Sequence, residues 1–293
     1  MRRLLLASCL ALAPAATIAG CPPDGQSVES LQRLKASGFE TPDAGRAALA
    51  MALVDCLGNP DPALRDGVAY EALAHWMRAD AFDADALHAL RDRLLAQLDG
   101  DDPAGFRKPF AALVLSEVAR TDRIQPWMTD AERAAMVAAA AGYVESVRDY
   151  RGYDDSEGWR HGVAHGADWL MQLAMNPALD RAQLDRILAS VAAQAVPEAS
   201  HAYVFGEAAR LARPVRFVAD RGVHSEADWK AWLDAIAARP GPYPTSDPRS
   251  LWLAQRHDLT AFMTALYMEI DTVDEGRADA LRTALEALLH PAD

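Results

Sequence analysis

Thr129-Asp130-Ala131-Glu132-Arg133-Ala134-Ala135-Met136-Val137-Ala138-Ala139-Ala140-Ala141-Gly142-Tyr143-Val144 is the stretch on which the reading of the fold turns. Thr129 and Glu132 stand at capping-box spacing, where each side chain reaches the other's backbone amide and opens a helix. Behind them the apolar residues return every three or four positions, which is the period of one helical face. The same grammar repeats along the chain. Thr41-Pro42 sets proline at a first helical position, and Asp180 to Gln183 and Ser225 to Asp228 repeat the cap. Breaks fall at Gly58-Asn59-Pro60-Asp61-Pro62, Gly100-Asp101-Asp102-Pro103, Asn176-Pro177 and Pro240-Gly241-Pro242-Tyr243-Pro244. Alternating runs rich in Val, Ile and Thr are missing.

These signals predict an all-α chain, with helices near 27–37, 42–57, 62–78, 84–98, 108–121, 130–149, 157–175, 181–195, 203–220, 226–238, 249–271 and 275–289. Helix pairs restart roughly every 40 to 50 residues, the period of HEAT-type and armadillo-type repeats. The expected architecture is an α-solenoid of stacked antiparallel helix pairs, whose neighbours bury each other's apolar faces and leave a concave binding surface. In this division 1–20 is a signal peptide, 21–41 a tether and first short helix, 42–239 the helical-repeat domain, and 240–293 C-terminal helices packing on the array.

The leader is read from Arg2-Arg3 followed by an apolar run from Leu4 to Ile18, too short and too broken by Pro14 to span a membrane. Ile18-Ala19-Gly20-Cys21 resembles a lipobox, so Cys21 is expected to be lipidated and to anchor the chain to the membrane on the periplasmic side of the cell envelope. The alternative is a soluble periplasmic or secreted protein with a Cys21–Cys56 disulfide, since Cys9 leaves with the leader. The two exclude each other, because a thioether sulfur cannot pair.

The chain of 293 residues carries a formal charge of −13, and −15 without Arg2 and Arg3. No run of Lys or Arg offers the basic face that nucleic acid requires. The acidic balance favours a basic partner.

One segment stands out chemically: Asp149-Tyr150-Arg151-Gly152-Tyr153, then Gly158-Trp159-Arg160-His161-Gly162-Val163-Ala164-His165-Gly166-Ala167-Asp168-Trp169. On a helix His161, His165 and Asp168 share one face, the donor set of a zinc, iron or manganese site. Gly162 stands where a zinc-protease helix needs its glutamate, so that chemistry is not expected, and no cofactor is predicted beyond a possible divalent metal. Gly158, Gly162 and Gly166 form a small-residue stripe that admits a close neighbour, and in that case the histidines lock an interface through hydrogen bonds. Arg65, Arg107 and Arg151 are candidates to clamp an anion, with Asp149 and Trp159 beside them, and pairing with Asp66, Asp149 or Asp168 explains the arginines equally well. Trp76, Trp127, Trp169, Trp229, Trp232 and Trp252 read as packing residues.

Several of these pieces resemble a bacterial family of unknown function, number 2785. They are Leu57-Gly58-Asn59-Pro60-Asp61-Pro62 with Leu64-Arg65-Asp66, Phe106-Arg107 with Pro109-Phe110, Arg151-Gly152-Tyr153, Gly158-Trp159-Arg160-His161, and Ala164-His165-Gly166-Ala167-Asp168. Asn176-Pro177-Ala178-Leu179-Asp180 and Glu207 through Arg213 complete a similarity over about residues 50–235. The resemblance implies a helical, HEAT-like fold and carries over no activity and no catalytic residue.

Two functions compete. One is an envelope scaffold that holds a protein or peptide. The other is a metal-dependent hydrolase or small-ligand-binding protein centred on His161, His165 and Asp168. The scaffold stands first because no complete catalytic set is present.

Overall fold

A computed structural model describes residues 20–271 and 276–289. The expected signal peptide, save for Gly20, lies outside the described residues. The caps work as their spacing requires: Thr129, Asp180 and Ser225 each form a reciprocal box with the residue three positions on, and Ser27 does the same with Ser30. Between such starts run α1 (Val28–Ala36), α2 (Asp43–Leu53), α3 (Pro62–Leu64), α4 (Glu71–Arg78), α5 (Ala84–Ala96), α6 (Arg107–Ile124) and α7 (Asp130–Ser146). After a two-stranded hairpin, β1 (Tyr153–Asp154) and β2 (Gly158–Trp159), come α8 (Gly162–Ala174), α9 (Arg181–Ala195), α10 (Glu207–Ala219), α11 (Glu226–Ala237), α12 (Ser250–Asp271) and α13 (Asp279–Leu289).

The helices stack in pairs, so the chain is the all-α array its period implies. One row runs α4, α6, α8, α10, α12, and a second sets α2 on α5, α7 on α9 and α11 on α13. A single contiguous core extends from Leu31 at one end to Leu285 at the other. Its centre is α8, buried on every side from Gly162 to Leu170. That burial is possible because the first two turns of α8 are built from small residues. A methyl group at Gly166 would stand 2.6 Å from Val144 and 3.0 Å from Tyr143, so α7 lies directly on the bare Cα.

Three boundaries differ from the sequence reading. The helix expected from 157 begins at Gly162, because Asp154 closes a turn through its Oδ1, which accepts from the Ser156 and Glu157 amides at 2.8 and 3.0 Å. Gly158 then supplies the positive φ, +74°, that ends the hairpin, so it belongs to β2 and not to a helical stripe. The span 62–78 is helical but widened at its centre: Arg65–Tyr70 is π-helical. The span 42–57 stops as an α-helix at Leu53 and tightens into a 3-10 turn over Val54–Gly58.

The N-terminal stretch shows the cysteine pairing of the alternative reading. Cys21 is bonded to Cys56, which sits in that 3-10 turn, and their Cα atoms are 5.1 Å apart. A sulfur so bonded cannot carry a thioether, so the structure takes the alternative pairing. Nor is this stretch a free tether: Cys21 and Pro23 are both buried against the body. Closing a loop whose ends are 35 positions apart is worth about 4 kcal/mol on the chain-entropy account.

Two outcomes follow. Cys56→Ser should lower the urea unfolding free energy by about 4 kcal/mol, and fatty-acid labelling of wild-type Cys21 in cells would overturn the pairing. Gly166→Ala should cost about 1–3 kcal/mol in the same measurement, since Val144 is stiff and cannot retreat.

Candidate functional site

The segments that set the sequence apart converge at the start of α8. Arg65 is fully buried, and its guanidinium gives Nε to Asp66 Oδ1 at 2.6 Å, Nη1 to the Asn59 carbonyl at 3.0 Å and Nη2 to the Glu157 carbonyl at 2.7 Å. Its faces are closed by rings, Phe106 at 4.1 Å and Phe110 at 4.8 Å. From Phe110 a column of rings runs outward: His165 at 5.1 Å, then His161 at 5.8 Å from His165, then Trp159 stacked at 4.6 Å on His161 and open to solvent. Arg160 also lies over the Phe106 ring, at 4.2 Å. The hairpin, the α6 start and the π-helical turn are thus fastened through one stack of rings and guanidinium planes.

His161 does not share a helix face with His165. It is the residue before α8, in the left-handed conformation at φ 55°, and only His165 and Asp168 lie on the helix. All three are buried. His165 Nδ1 meets the Pro109 carbonyl at 3.1 Å, and Asp168 accepts from Arg210 of α10. His161 Nε2 makes no hydrogen bond and faces Glu207 Oε1 across 3.9 Å. Among the described residues no three His, Cys, Asp or Glu side chains converge as a metal ion needs. Burial, reinforced by the charge of Arg210, holds His161 down to about 4; burial, with the charges of His161 and Arg210, holds His165 down to about 3. Both are neutral at pH 7. Burial pushes the Asp168 carboxyl up, against the pull of Arg210.

Two clamp candidates are structural. Arg65 has no group free for a ligand. Arg107 donates to the carbonyls of Gln97, Asp99 and Asp101, gathering the turn after α5, which is why its neighbourhood rather than an anion occupies it. Asp149 and Arg151 pair with each other, Nε to Oδ1 at 2.8 Å, and Arg151 stays half exposed. Together with Tyr153, Phe205, Gly152 and Arg160 it lines a pocket of 260 Å³. Trp159 and Tyr153, with Phe205 behind them, make an exposed apolar shelf beside that pocket, and the exposed Val204 precedes Phe205 in the chain.

Sequence reasoning missed the loop that completes this shelf. Phe205 rests directly on Gly152, where a Cβ would stand 2.0 Å from its ring, and no spacing rule links positions so far apart. It also missed the chain of ion pairs across the first row: Arg78 with Glu117, Arg210 with Asp168, and Arg213 with Glu269 at 3.6 Å. Arg210 was legible only as part of the Glu207 to Arg213 resemblance.

Because both histidines are neutral when folded and normal near 6.5 when unfolded, the unfolded chain binds more protons between those values. Stability should therefore fall as pH drops from 6.5 through about 4 and then 3. A His161→Gln/His165→Gln variant, less stable at pH 7, should show a smaller drop in urea midpoint between pH 7 and pH 5; an equal drop would refute the neutral burial. Arg65→Ala should cost about 3–5 kcal/mol by leaving Asp66 and three carbonyls without their donor.

The family described as "Protein of unknown function (DUF2785)" matches residues 94–268, more than half of the chain. The matched span takes in α6 through the hairpin, α8, α10 and nearly all of α12, and starts after Leu57–Asp66. No curated protein and no solved structure matches the chain. The chain belongs to this family of proteins of unknown function.

Proposed function

We propose that the chain is a binding scaffold that works in an oxidising compartment outside the cytoplasm and holds a protein or peptide on the shelf of Tyr153, Trp159 and Phe205. The observation that carries the reading is the contrast within one ring column. Its inner members, His161 and His165, are sealed and neutral, while its outer member, Trp159, opens to solvent beside Tyr153. A rigid, partly exposed aromatic group backed by a fixed stack is the type of anchor that dominates protein interfaces. Arg151 at the shelf's edge supplies a guanidinium for a polar rim. Export is supported by the disulfide, which persists where thiols are not kept reduced. Among the described residues no helix is long and apolar enough to cross a membrane. The hydrolase alternative gains no support from the geometry, since its three donors are engaged or turned apart.

The test is a Tyr153→Ala/Val204→Ser variant, both residues being exposed. It should melt with the wild type and lose partners that the wild type retains in cross-linking from an extracytoplasmic fraction. Retention of every partner at wild-type yield would sink the reading.

A further inference from the structure

A larger cavity lies elsewhere, a groove of 890 Å³ walled by the start of α2, the α4–α5 turn and the α6–α7 turn. It sits at the C-terminal end of α6, whereas the shelf sits at the N-terminal end. The 18 residues of that helix separate them by about 27 Å at 1.5 Å per residue.

Its lining has a consistent chemistry. Phe82 and Leu87 are buried beneath it, and Trp127 stands half-buried, fixed by Nε1 donating to Thr121 Oγ1 at 3.0 Å. Three carboxylates, Asp43, Asp80 and Asp83, face one cation, Arg46. That cation is spent on the wall itself: it pairs with Asp43 at 2.6 Å and donates to the Thr41 and Ala81 carbonyls. The Asp80 amide donates to the Met77 carbonyl at 3.3 Å, its side chain makes no hydrogen bond or ion pair among the described residues, and its turn holds it at φ 54°. Asp83 uses one oxygen to cap α5, accepting from the Ala86 amide at 2.9 Å, and keeps the other. Asp80 and the free oxygen of Asp83 thus line the groove together with Phe82 and Trp127, a ring that already carries one guanidinium, that of Arg91, at 5.8 Å. A guanidinium or ammonium meets both an opposite charge and a π face there.

We infer that this groove binds a lysine- or arginine-bearing segment of a partner protein. Its volume lies at the top of the range for small-molecule sites and exceeds what one side chain fills. The turns and the helix start along its walls suit an extended segment, and the chain's charge of −13 draws a basic partner in. The inference stands apart from the shelf and fails separately from it.

The probe is fluorescein-labelled hexaarginine, titrated with the full chain and read by fluorescence anisotropy at physiological salt. Asn tolerates positive φ at position 80 and still caps a helix at position 83, so Asp80→Asn/Asp83→Asn keeps both local roles. It should weaken binding at least fivefold. Glu198→Gln/Glu286→Gln removes the same charge from exposed positions outside the groove and should stay within twofold of wild type. Equal weakening in both pairs, or none in the groove pair, would overturn the inference. Should the double variant melt below wild type, Asp80→Asn alone decides, with a threefold loss expected and an unchanged affinity refuting. Tyr153→Ala/Val204→Ser should leave hexaarginine binding unchanged.

Discussion

The buried guanidinium of Arg65 is the constraint from which the rest of the centre follows. A charge with no solvent contact survives only when every donor is answered. Here the answers come from distant pieces of chain: the Asn59 and Pro60 carbonyls, the Asp66 carboxylate and the Glu157 carbonyl 92 positions away. The hairpin therefore cannot leave the π-helical turn without exposing an unpaired charge in an apolar setting. Phe106 and Phe110 close its faces, which fixes the start of α6, and Phe110 in turn seats His165. A polar residue at the heart of a repeat array sets the register between pairs that apolar packing alone would leave free to slide.

Much of this was legible in the sequence, for identifiable reasons. Helix starts at Thr129, Asp180 and Ser225 depend on three residues each, a distance over which sequence and structure are locked together. The small residues of α8 correctly announced a close neighbour, and Tyr143 and Val144 are that neighbour. What went astray was the assumption that a helical period continues through Gly158. Asp154, Ser156 and Gly158 spell a turn, and once the turn closes, His161 falls outside the helix and the three-donor face dissolves. The spacing was real, but the helix under it was not.

Contacts between distant segments were out of reach for a different reason. Nothing in the neighbourhood of Phe205 indicates that it rests on Gly152, and nothing near Arg210 indicates that it neutralises Asp168. Such pairings are properties of how rows of helices stack. The same holds for the cysteines: their count allowed the Cys21–Cys56 pair, and a lipobox-like run argued for another fate. The path of the chain after Gly20, folded back onto the 3-10 turn, brings the two sulfurs together.

That bond sits at one end of a linear stack. In an array where each pair leans on its neighbours, the free end is where fraying begins. Here one end is welded, and the other, α13, has no covalent tie: it rests on α11 and α12 by packing and by Arg282, which pairs with Asp271 and donates to the Ile270 carbonyl. Local opening is thereby given a direction, from the C-terminal pair inward, and the slowest amide exchange belongs to the α6–α8 layers around Arg65.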